Sequence, residues 1–431
     1  MKLLTGATLI DGTGKPSIEN AAVLIDGDRI VEVGPSAAVD YPNTAEVVDI
    51  AGMTLIPGLI DCHDHLASAG ALGPLTEGQA GVGYNLVERW ELDAPFSVRT
   101  LRTAKNLKDT LDIGYTAVRD GGGLDVGFKQ AVESGLTPGP RLVVSITLIA
   151  PTGGLADHVA PSGHCKPPPV SPNLGTGVAD GVVAVRTKVR EMVRRGADVI
   201  KFATTGGASS RPGHGPFDRE YTLEEAKALV DEAHLLGRKA MCHAVGGPGL
   251  RVALEAGADT IEHGAYLDED PDYMAMMTAN NVFFVPTFTV YVYHSTTPTP
   301  HITPRAAALW PHLSTSVEKA LANGVKVVAG TDAGGYVHGD NAQELQCMVE
   351  AGMSNMQAIQ AATGWAAECI GMEKEIGTVE KGKLADLVVV DGNPLNDIKV
   401  LRQRERIKLV IKGGDTHIDR RVNVGSTVAA D

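Results

Sequence analysis

Short apolar runs recur through the middle of the chain, and segments with helical periodicity separate them. Each run begins after a Gly, Pro or Lys and ends in small or polar residues, which is typical of buried strands. The predicted strands are 59–65, 114–120, 141–146, 197–203, 239–243, 258–263, 281–287 and 324–332. The predicted helices include 98–111, 182–195, 222–236 and 248–256. This alternation predicts an α/β fold, a TIM (β/α)8 barrel, whose active sites lie at the carboxyl ends of the strands.

The two ends of the chain carry short β patterns with turns instead of this alternation. Within residues 21–33, two apolar runs flank Asp26-Gly27-Asp28, which indicates a hairpin. Apolar runs return near the other end, in 384–390 and 407–414. Neither end buries a core by itself. We therefore predict a β-sandwich domain formed by residues 1–55 and 376–431, beside a barrel over residues 56–375.

The composition and charge of the chain favour some binding partners and cellular locations over others. The chain of 431 residues is long enough for a barrel and a second module. Its net charge of -14 argues against nucleic acid or an anionic membrane as a partner, since both need clustered Lys and Arg. Five scattered Cys are typical of reduced thiols, and no stretch has the length of a signal peptide or membrane span. We expect a cytoplasmic homo-oligomer that acts on a small molecule.

Five of the apolar runs carry residues that bind metals in other proteins. The candidate metal-binding residues are His63, His65, Lys201, His243, His263 and Asp332. Residues two apart on a strand point to the same face, so His63 and His65 can reach a single metal ion. Because the carboxyl ends of barrel strands meet at one face, we expect all six side chains to converge there.

Each candidate also has a purely structural interpretation. The two histidines of the first strand would form a buried, hydrogen-bonded pair, and each later histidine would be an ordinary strand-end residue. Lys201 would pair with a buried acid, and Asp332 would cap a helix that begins at the next residue. The convergence of six such residues favours the metal-binding interpretation over these alternatives.

Lys201 and Asp332 suggest specific chemistry. Burying the Lys201 ammonium unpaired costs several kcal/mol and lowers its pKa, and a neutral amine can add carbon dioxide to become a carbamate. The two oxygens of a carbamate can bridge two cations. A water between two metals ionises near neutral pH and becomes a nucleophile. Asp332 is the candidate catalytic residue, because it could accept that proton and deliver it to the departing amine.

Several motifs resemble the amidohydrolase superfamily over nearly the whole chain. They are residues 52–65, Ile261-Glu262-His263-Gly264, Ala329-Gly330-Thr331-Asp332 and residues 382–389. Residues 128–136 and 196–201 are most similar to the branch of imidazolonepropionase-like proteins and binuclear Xaa-Pro dipeptidases. The resemblance implies a carbamate on Lys201 and two divalent metal ions, and zinc suits the imidazole and carboxylate ligands.

The substrate pocket departs from the dipeptidase pattern at two positions. Leu155 and Val245 stand where those relatives would carry a His and a Tyr, so groups that would hold a peptide carboxylate are missing. The candidate substrate-binding residues in the loops are His158, Arg211, His214, Tyr266 and His338. We therefore expect a preference for neutral, apolar amides, amino acid esters or carbamates over dipeptides.

The sequence predicts a binuclear metal-dependent amidohydrolase that cleaves a C–N amide bond in a small N-acyl, peptide-like or carbamoyl compound through a metal-bridging hydroxide. One alternative is a mononuclear enzyme that opens a cyclic amide, like imidazolonepropionase, or a deaminase, neither of which would need Lys201. A second alternative is a catalytically silent scaffold. Such a protein would have lost metal ligands, whereas all six candidates are present here.

Overall fold

The computed structural model describes residues 1–68, 94–159, 162–163, 175–296 and 301–421. The strands are β1 (Lys2–Leu9), β2 (Ile18–Asp26), β3 (Arg29–Pro35), β4 (Glu46–Asp49), β5 (Thr54–Pro57), β6 (Leu59–Asp64), β7 (Tyr115–Asp120), β8 (Arg141–Val144), β9 (Leu148–Ile149), β10 (Val199–Ala203), β11 (Lys239–Ala244), β12 (Thr260–His263), β13 (Phe283–Val285), β14 (Leu387–Val390), β15 (Ile407–Lys412) and β16 (Asp415–Asp419).

Helices fill most of the intervals between the central strands. They are α1 (Phe96–Asp112), α2 (Val126–Glu133), α3 (Gly181–Arg194), α4 (Leu223–Leu235), α5 (Gly247–Ala256), α6 (Pro271–Ala279), α7 (Phe288–Thr296), α8 (Ile302–Ala322), α9 (Gln343–Glu350), α10 (Asn355–Ala361) and α11 (Gly364–Ile370). The four helices predicted by periodicity are confirmed as α1, α3, α4 and α5, with bounds within two residues of the prediction. Within the described ranges, no helix has the length and apolarity that crossing a membrane requires.

The central strands form two parallel sheets that crossover helices connect. One sheet has the order β13-β12-β11-β10-β9, and the other has the order β6-β7-β8. Seven of the eight predicted strands are regular strands of these sheets. Parallel strands joined by helices place their carboxyl ends on the same side, which is where the candidate site is expected. Closure of both sheets into one barrel stays a prediction.

The eighth predicted strand is wrong as a regular strand. Val327 pairs with Phe284 of β13, and Ala333 pairs with Asp64 of β6, but each contact is an isolated parallel bridge. Between them the backbone turns, since Asp332 has a left-handed φ of 54° that a continuous strand does not allow. The segment therefore lies between the outer strands of the two sheets without forming a ladder with either.

The strands from both ends of the chain form a third sheet of eight strands. Its order is β16-β15-β14-β5-β1-β2-β3, and β4 pairs with β1 beside β5. The predicted hairpin joins β2 to β3 through a two-residue turn in which Gly27 has a φ of 58°. Chain ends therefore meet in one sheet, while the second layer that a sandwich requires stays a prediction. The predicted range 376–431 also extends over residues 422–431, which lie outside the described residues.

Alternate residues of the terminal sheet belong to two hydrophobic cores. Ile56 and Val388 pack into the large core of the central strands and helices, whereas Leu55 and Val389 pack into a separate core on the other face. This period of two is what a sheet buried on both faces produces. Burying a side chain of this size contributes roughly 1.5–3 kcal/mol, so the terminal sheet is firmly attached to the part that carries the site.

Candidate active site

The central strands bring the six candidate metal-binding residues together. His63 lies in β6 and His65 follows it, Lys201 lies in β10, His243 in β11, and His263 ends β12. Lys201 Nζ is 3.3 Å from His63 Nε2, and Asp332 Oδ1 is 3.3 Å from His65 Nε2 and 3.7 Å from His63 Nε2. The ring centroid of His263 is 5.0 Å from that of His63 and 4.3 Å from that of His243.

Three of these residues have the geometry of a metal site. One ligand atom each from His63, His263 and Asp332 lie within 4.8 Å of one another, and both imidazoles are buried. Imidazole and carboxylate are ligands that suit zinc and other divalent transition metals. The Nε2 atom of His243 is 3.2 Å from the carbonyl oxygen of Gly206. The donor set therefore fits a divalent metal ion, with His65, Lys201 and His243 at its margin.

The backbone around these residues is strained at three positions. His263, Thr287 and Asp332 have φ values of 72°, 55° and 54°, in the left-handed region that costs of order 1–3 kcal/mol for a residue with a side chain. Hydrogen bonds hold the strained geometry. Thr287 Oγ1 is 2.8 Å from Nδ1 of His263, and the Asp332 amide donates to the carbonyl of His63 at 2.7 Å. The strain turns the His263 and Asp332 side chains toward the same centre.

A buried ion pair orients His63. Glu262 Oε2 is 2.7 Å from Nδ1 of His63, and Glu262 Oε1 accepts a hydrogen bond from Arg119 Nη2 at 2.8 Å. The Glu262 and Arg119 side chains are 0% and 1% exposed. Because a carboxylate at Nδ1 favours the tautomer with a proton there, the lone pair of Nε2 is directed at the site. Sequence reasoning missed both residues, although an Arg inside the apolar β7 was an available signal of a buried partner.

Burial controls the protonation of the site. It lowers the pKa of Lys201 to about 8 and that of His243 to about 3, and it lowers the pKa values of His63 and His263 well below the usual range. Burial raises the pKa of Asp332 to about 7, although the nearby Lys201 opposes this shift. Imidazoles that stay neutral at physiological pH are in the form that binds metals.

The candidate substrate-binding residues occupy different parts of the surrounding loops. Arg211 is exposed and donates from Nη2 to the carbonyl of Gly153 at 2.7 Å. His214 Nε2 is 3.0 Å from Glu220 Oε1, and the Glu220 amide donates to the carbonyl of Thr204, which follows β10 directly. His214 and Glu220 therefore lie near the end of β10. His158 is exposed in the loop after β9.

The remaining two candidates are packed against other groups. Tyr266 follows His263 by three residues, and its ring packs between those of Phe217 and His312, with centroid distances of 4.5 and 4.3 Å. His338 is buried, with Nδ1 3.4 Å from Asp64 Oδ1. A role in substrate binding stays a prediction for all five loop candidates.

Comparisons with known proteins find relatives over most of the chain. A model of the family described as "Amidohydrolase family" matches residues 54–416. The ochratoxinase of Aspergillus niger is 31% identical over 429 residues, covering 96% of this chain and 85% of that protein. An imidazolonepropionase of Fusobacterium nucleatum is 25% identical over 396 residues, covering 86% and 85%. The crystal structure of a Xaa-Pro dipeptidase with bound methionine in its active site is 31% identical, with a TM-score of 0.84 over 97% of this chain and 99% of that one.

Proposed function

The chain belongs to the amidohydrolase family, and from that premise we propose that it uses two divalent metal ions to hydrolyse an amide bond in a small N-acyl, peptide-like or carbamoyl compound. As a member related to ochratoxinase and a dipeptidase, it is a hydrolase of carbon–nitrogen bonds and not a silent scaffold. The single observation that carries the proposal is the cluster of the buried His63 and His263 with Asp332, beside Lys201.

The proposed metal ligands are His63, His65, Lys201, His243, His263 and Asp332, and zinc is the proposed metal. When bound, divalent ions lower the pKa of a water molecule and polarise a carbonyl group. The fit rests on donor chemistry, since imidazoles of low pKa and a carboxylate face one another. We further propose that Lys201 Nζ adds carbon dioxide, forming one N–C bond and releasing one proton. The lowered pKa of Lys201 makes the neutral amine available for this reaction.

Asp332 is the proposed general base and acid. Burial raises its pKa to about 7, near which a carboxylate can both accept a proton and return it. In this proposal Asp332 takes a proton from the attacking water and gives it to the nitrogen of the departing amine as the C–N bond breaks. Glu262 keeps His63 in position during these steps, because its hydrogen bond fixes the imidazole ring, and Arg119 in turn holds Glu262.

The proposed substrate is a neutral, apolar amide, an amino acid ester or a carbamate. Val245 is fully buried, and its amide donates to Thr205 Oγ1 at 3.0 Å. The amide of Leu155 donates to Glu220 at 2.7 Å. Neither position therefore offers a free donor to a substrate carboxylate, and an unpaired buried carboxylate is costly.

The proposal also includes the closed barrel and the cellular setting. The Asp198 amide donates to the carbonyl of Val144 at 2.8 Å, which links β8 to the start of β10, and the bridges at Val327 and Ala333 support closure on the other side. A cytoplasmic location remains our proposal from the scattered Cys, and assembly into a homo-oligomer is proposed beside it.

Two measurements test this function. Elemental analysis of active, metal-saturated protein should give two metals per chain. One metal per chain at full activity would favour a mononuclear enzyme. A preference of this protein for opening a cyclic amide would favour the same alternative, in line with its similarity to an imidazolonepropionase. The zinc-loaded protein should also be assayed against 4-nitroacetanilide, N-acetyl-L-phenylalanine, Leu-Pro and phenyl carbamate. A kcat/KM above about 10⁴ M⁻¹s⁻¹ on Leu-Pro or N-acetyl-L-phenylalanine, which both carry a free carboxylate, would contradict the proposed preference for neutral compounds.

A further inference from the structure

Glu220 is a buried carboxylate that sequence reasoning did not single out. Its side chain is 0% exposed, and it precedes α4 at the end of the long loop that follows β10. The base of this loop is fixed, because the Glu220 amide donates to the carbonyl of Thr204 at 2.9 Å and Thr205 pairs with Arg219 in an antiparallel bridge. The carboxylate is therefore held at a constant position relative to β10, the strand that carries Lys201.

One oxygen of this carboxylate joins two loops. Glu220 Oε1 accepts a hydrogen bond from the Leu155 amide at 2.7 Å and lies 3.0 Å from Nε2 of His214. Leu155 belongs to the loop after β9, whereas His214 belongs to the loop after β10. The other oxygen, Oε2, is buried without a hydrogen-bond partner among the described residues. A buried carboxylate with one oxygen unpaired is costly, which argues against a role in stability alone.

Both partners of Glu220 reach the glycine pair that contacts the proposed ligand His243. A Cβ added at Gly206 would lie 2.9 Å from the ring of His214, and one added at Gly207 would lie 3.1 Å from Cε1 of His243 and 4.0 Å from Cδ1 of Leu155. The carbonyl of Gly206 is also 3.2 Å from Nε2 of His243. The space between these groups is filled, so a shift of either loop would move the surroundings of His243.

Two further contacts hold the same loops from outside. Arg211 Nη2 donates to the carbonyl of Gly153 at 2.7 Å, and Arg305 Nη1 of α8 donates to the carbonyl of Ser210 at 2.8 Å. Arg211 and Arg305 lie at the edge of the assembly, whereas Glu220 is enclosed within it. Removing Glu220 therefore releases the inner contact while these outer contacts remain.

We propose that Glu220 is a positioning residue that holds the loops after β9 and β10 together and thereby sets the wall of the substrate site beside His243. The kinetic part of this inference rests on the proposed hydrolase function, whereas the loop contact does not. Burial raises the pKa of Glu220 to about 7, which agrees with a carboxyl group that is enclosed between the two loops.

The test compares Glu220→Ala with Glu220→Gln in the zinc-loaded full chain. A Gln side chain keeps an oxygen that can accept from the Leu155 amide, whereas Ala does not. Glu225→Ala is the matched control, because Glu225 also accepts from an amide of another segment, that of Gly181 at 2.8 Å, and caps α4 away from the glycine pair. Zinc content is measured for every variant, so that a metal effect is separated from a loop effect.

Hydrogen exchange of the Leu155 amide reports on the loop contact directly. Glu220→Ala should speed this exchange about tenfold, and Glu220→Gln should keep it within about threefold of the original, because only Ala removes the acceptor. Unchanged exchange in Glu220→Ala would overturn the proposal. This result does not depend on whether the hydrolase function is correct.

Kinetics then separate positioning from a merely structural role. With 4-nitroacetanilide or phenyl carbamate, Glu220→Ala should raise KM about tenfold and change kcat by less than about threefold, with recovery in Glu220→Gln. Faster exchange with unchanged KM and kcat would overturn the positioning role. If the unaltered protein hydrolyses neither probe, the proposed substrate class fails, and the exchange result alone decides whether Glu220 joins the loops.

Discussion

The Arg119–Glu262 ion pair is the part of the site for which the effect of a substitution on the free energy of unfolding can be worked out most directly. Both side chains are buried, and Glu262 bonds His63 Nδ1 at 2.7 Å and Arg119 at 2.8 Å. Glu262→Gln removes the negative charge but keeps an acceptor for His63. Because the Arg119 guanidinium then has no counter-charge, we expect the variant to lose about 3–5 kcal/mol of stability, the usual cost of breaking a buried pair. Arg119→Met should cost a similar amount by leaving the Glu262 carboxylate uncompensated.

The double variant tests the electrostatic origin of that cost. With both charges removed, we expect Arg119→Met combined with Glu262→Gln to be more stable than either single variant, so the two effects are strongly non-additive. Urea denaturation of the metal-free protein, with the slope checked for each variant, gives the midpoints. Lys381→Met is the control, since the exposed pair of Lys381 with Glu32 should contribute at most about 1 kcal/mol. The reasoning would be refuted if the losses of unfolding free energy in the two single variants simply added in the double variant. It would also be refuted if the single variants unfolded at the same urea concentration as Lys381→Met.

Three further changes probe the chemistry and the pH response. Lys201→Ala should lose activity and regain part of it with added short-chain carboxylic acids, which would occupy the position of a carbamate; absence of both rescue and any bicarbonate effect on reconstitution would contradict the carbamate. The hydrogen bond to Asp259 at 2.7 Å raises the pKa of His234. This half-exposed pair therefore stabilises the fold fully below about pH 6.5, the ordinary pKa of a histidine, and the stabilisation is lost as the pH rises through the raised pKa of His234. His234→Gln should therefore lower the melting temperature at pH 5.5 but not at pH 9, by an amount equivalent to at most about 1 kcal/mol, and an equal loss at both values would contradict this. Asp332→Asn should abolish activity while leaving the metal-free protein within about 1 kcal/mol of the original or more stable. The reason is that Asn tolerates a left-handed φ and carries no charge that must be desolvated. A larger loss in urea denaturation would show that the Asp332 carboxylate stabilises the fold.

The sequence predicted those parts of the fold and site that depend on local patterns. The strands that carry His63, Lys201, His243 and His263 are marked by short apolar runs, and their parallel arrangement brings the side chains together without further information. The same reasoning placed Asp332 near them, although the strand it was expected to end is irregular. A hydrophobic pattern specifies burial, but it does not reveal that a backbone must turn with a φ of 54°.

The contacts that orient the site were beyond prediction from one sequence. Arg119 and Glu262 are 143 positions apart, and Leu155 and Glu220 are 65 apart, so no local spacing connects the members of either pair. Each group alone looks like an ordinary charged residue. The role of each residue depends on which strands and loops become neighbours, and that follows from the three-dimensional packing.

The site combines two kinds of cost that a fold built only for stability would avoid. His263, Thr287 and Asp332 hold left-handed backbones, and Lys201 and Asp332 are ionisable groups whose desolvation moves their pKa values toward neutrality. These costs occur where four chain segments meet, those of Lys201, His263, Thr287 and Asp332. The large hydrophobic core beneath them supplies the stability that offsets such strain. The same left-handed turns that weaken the backbone point the imidazole of His263 and the carboxylate of Asp332 at one centre, which a straight strand would not do.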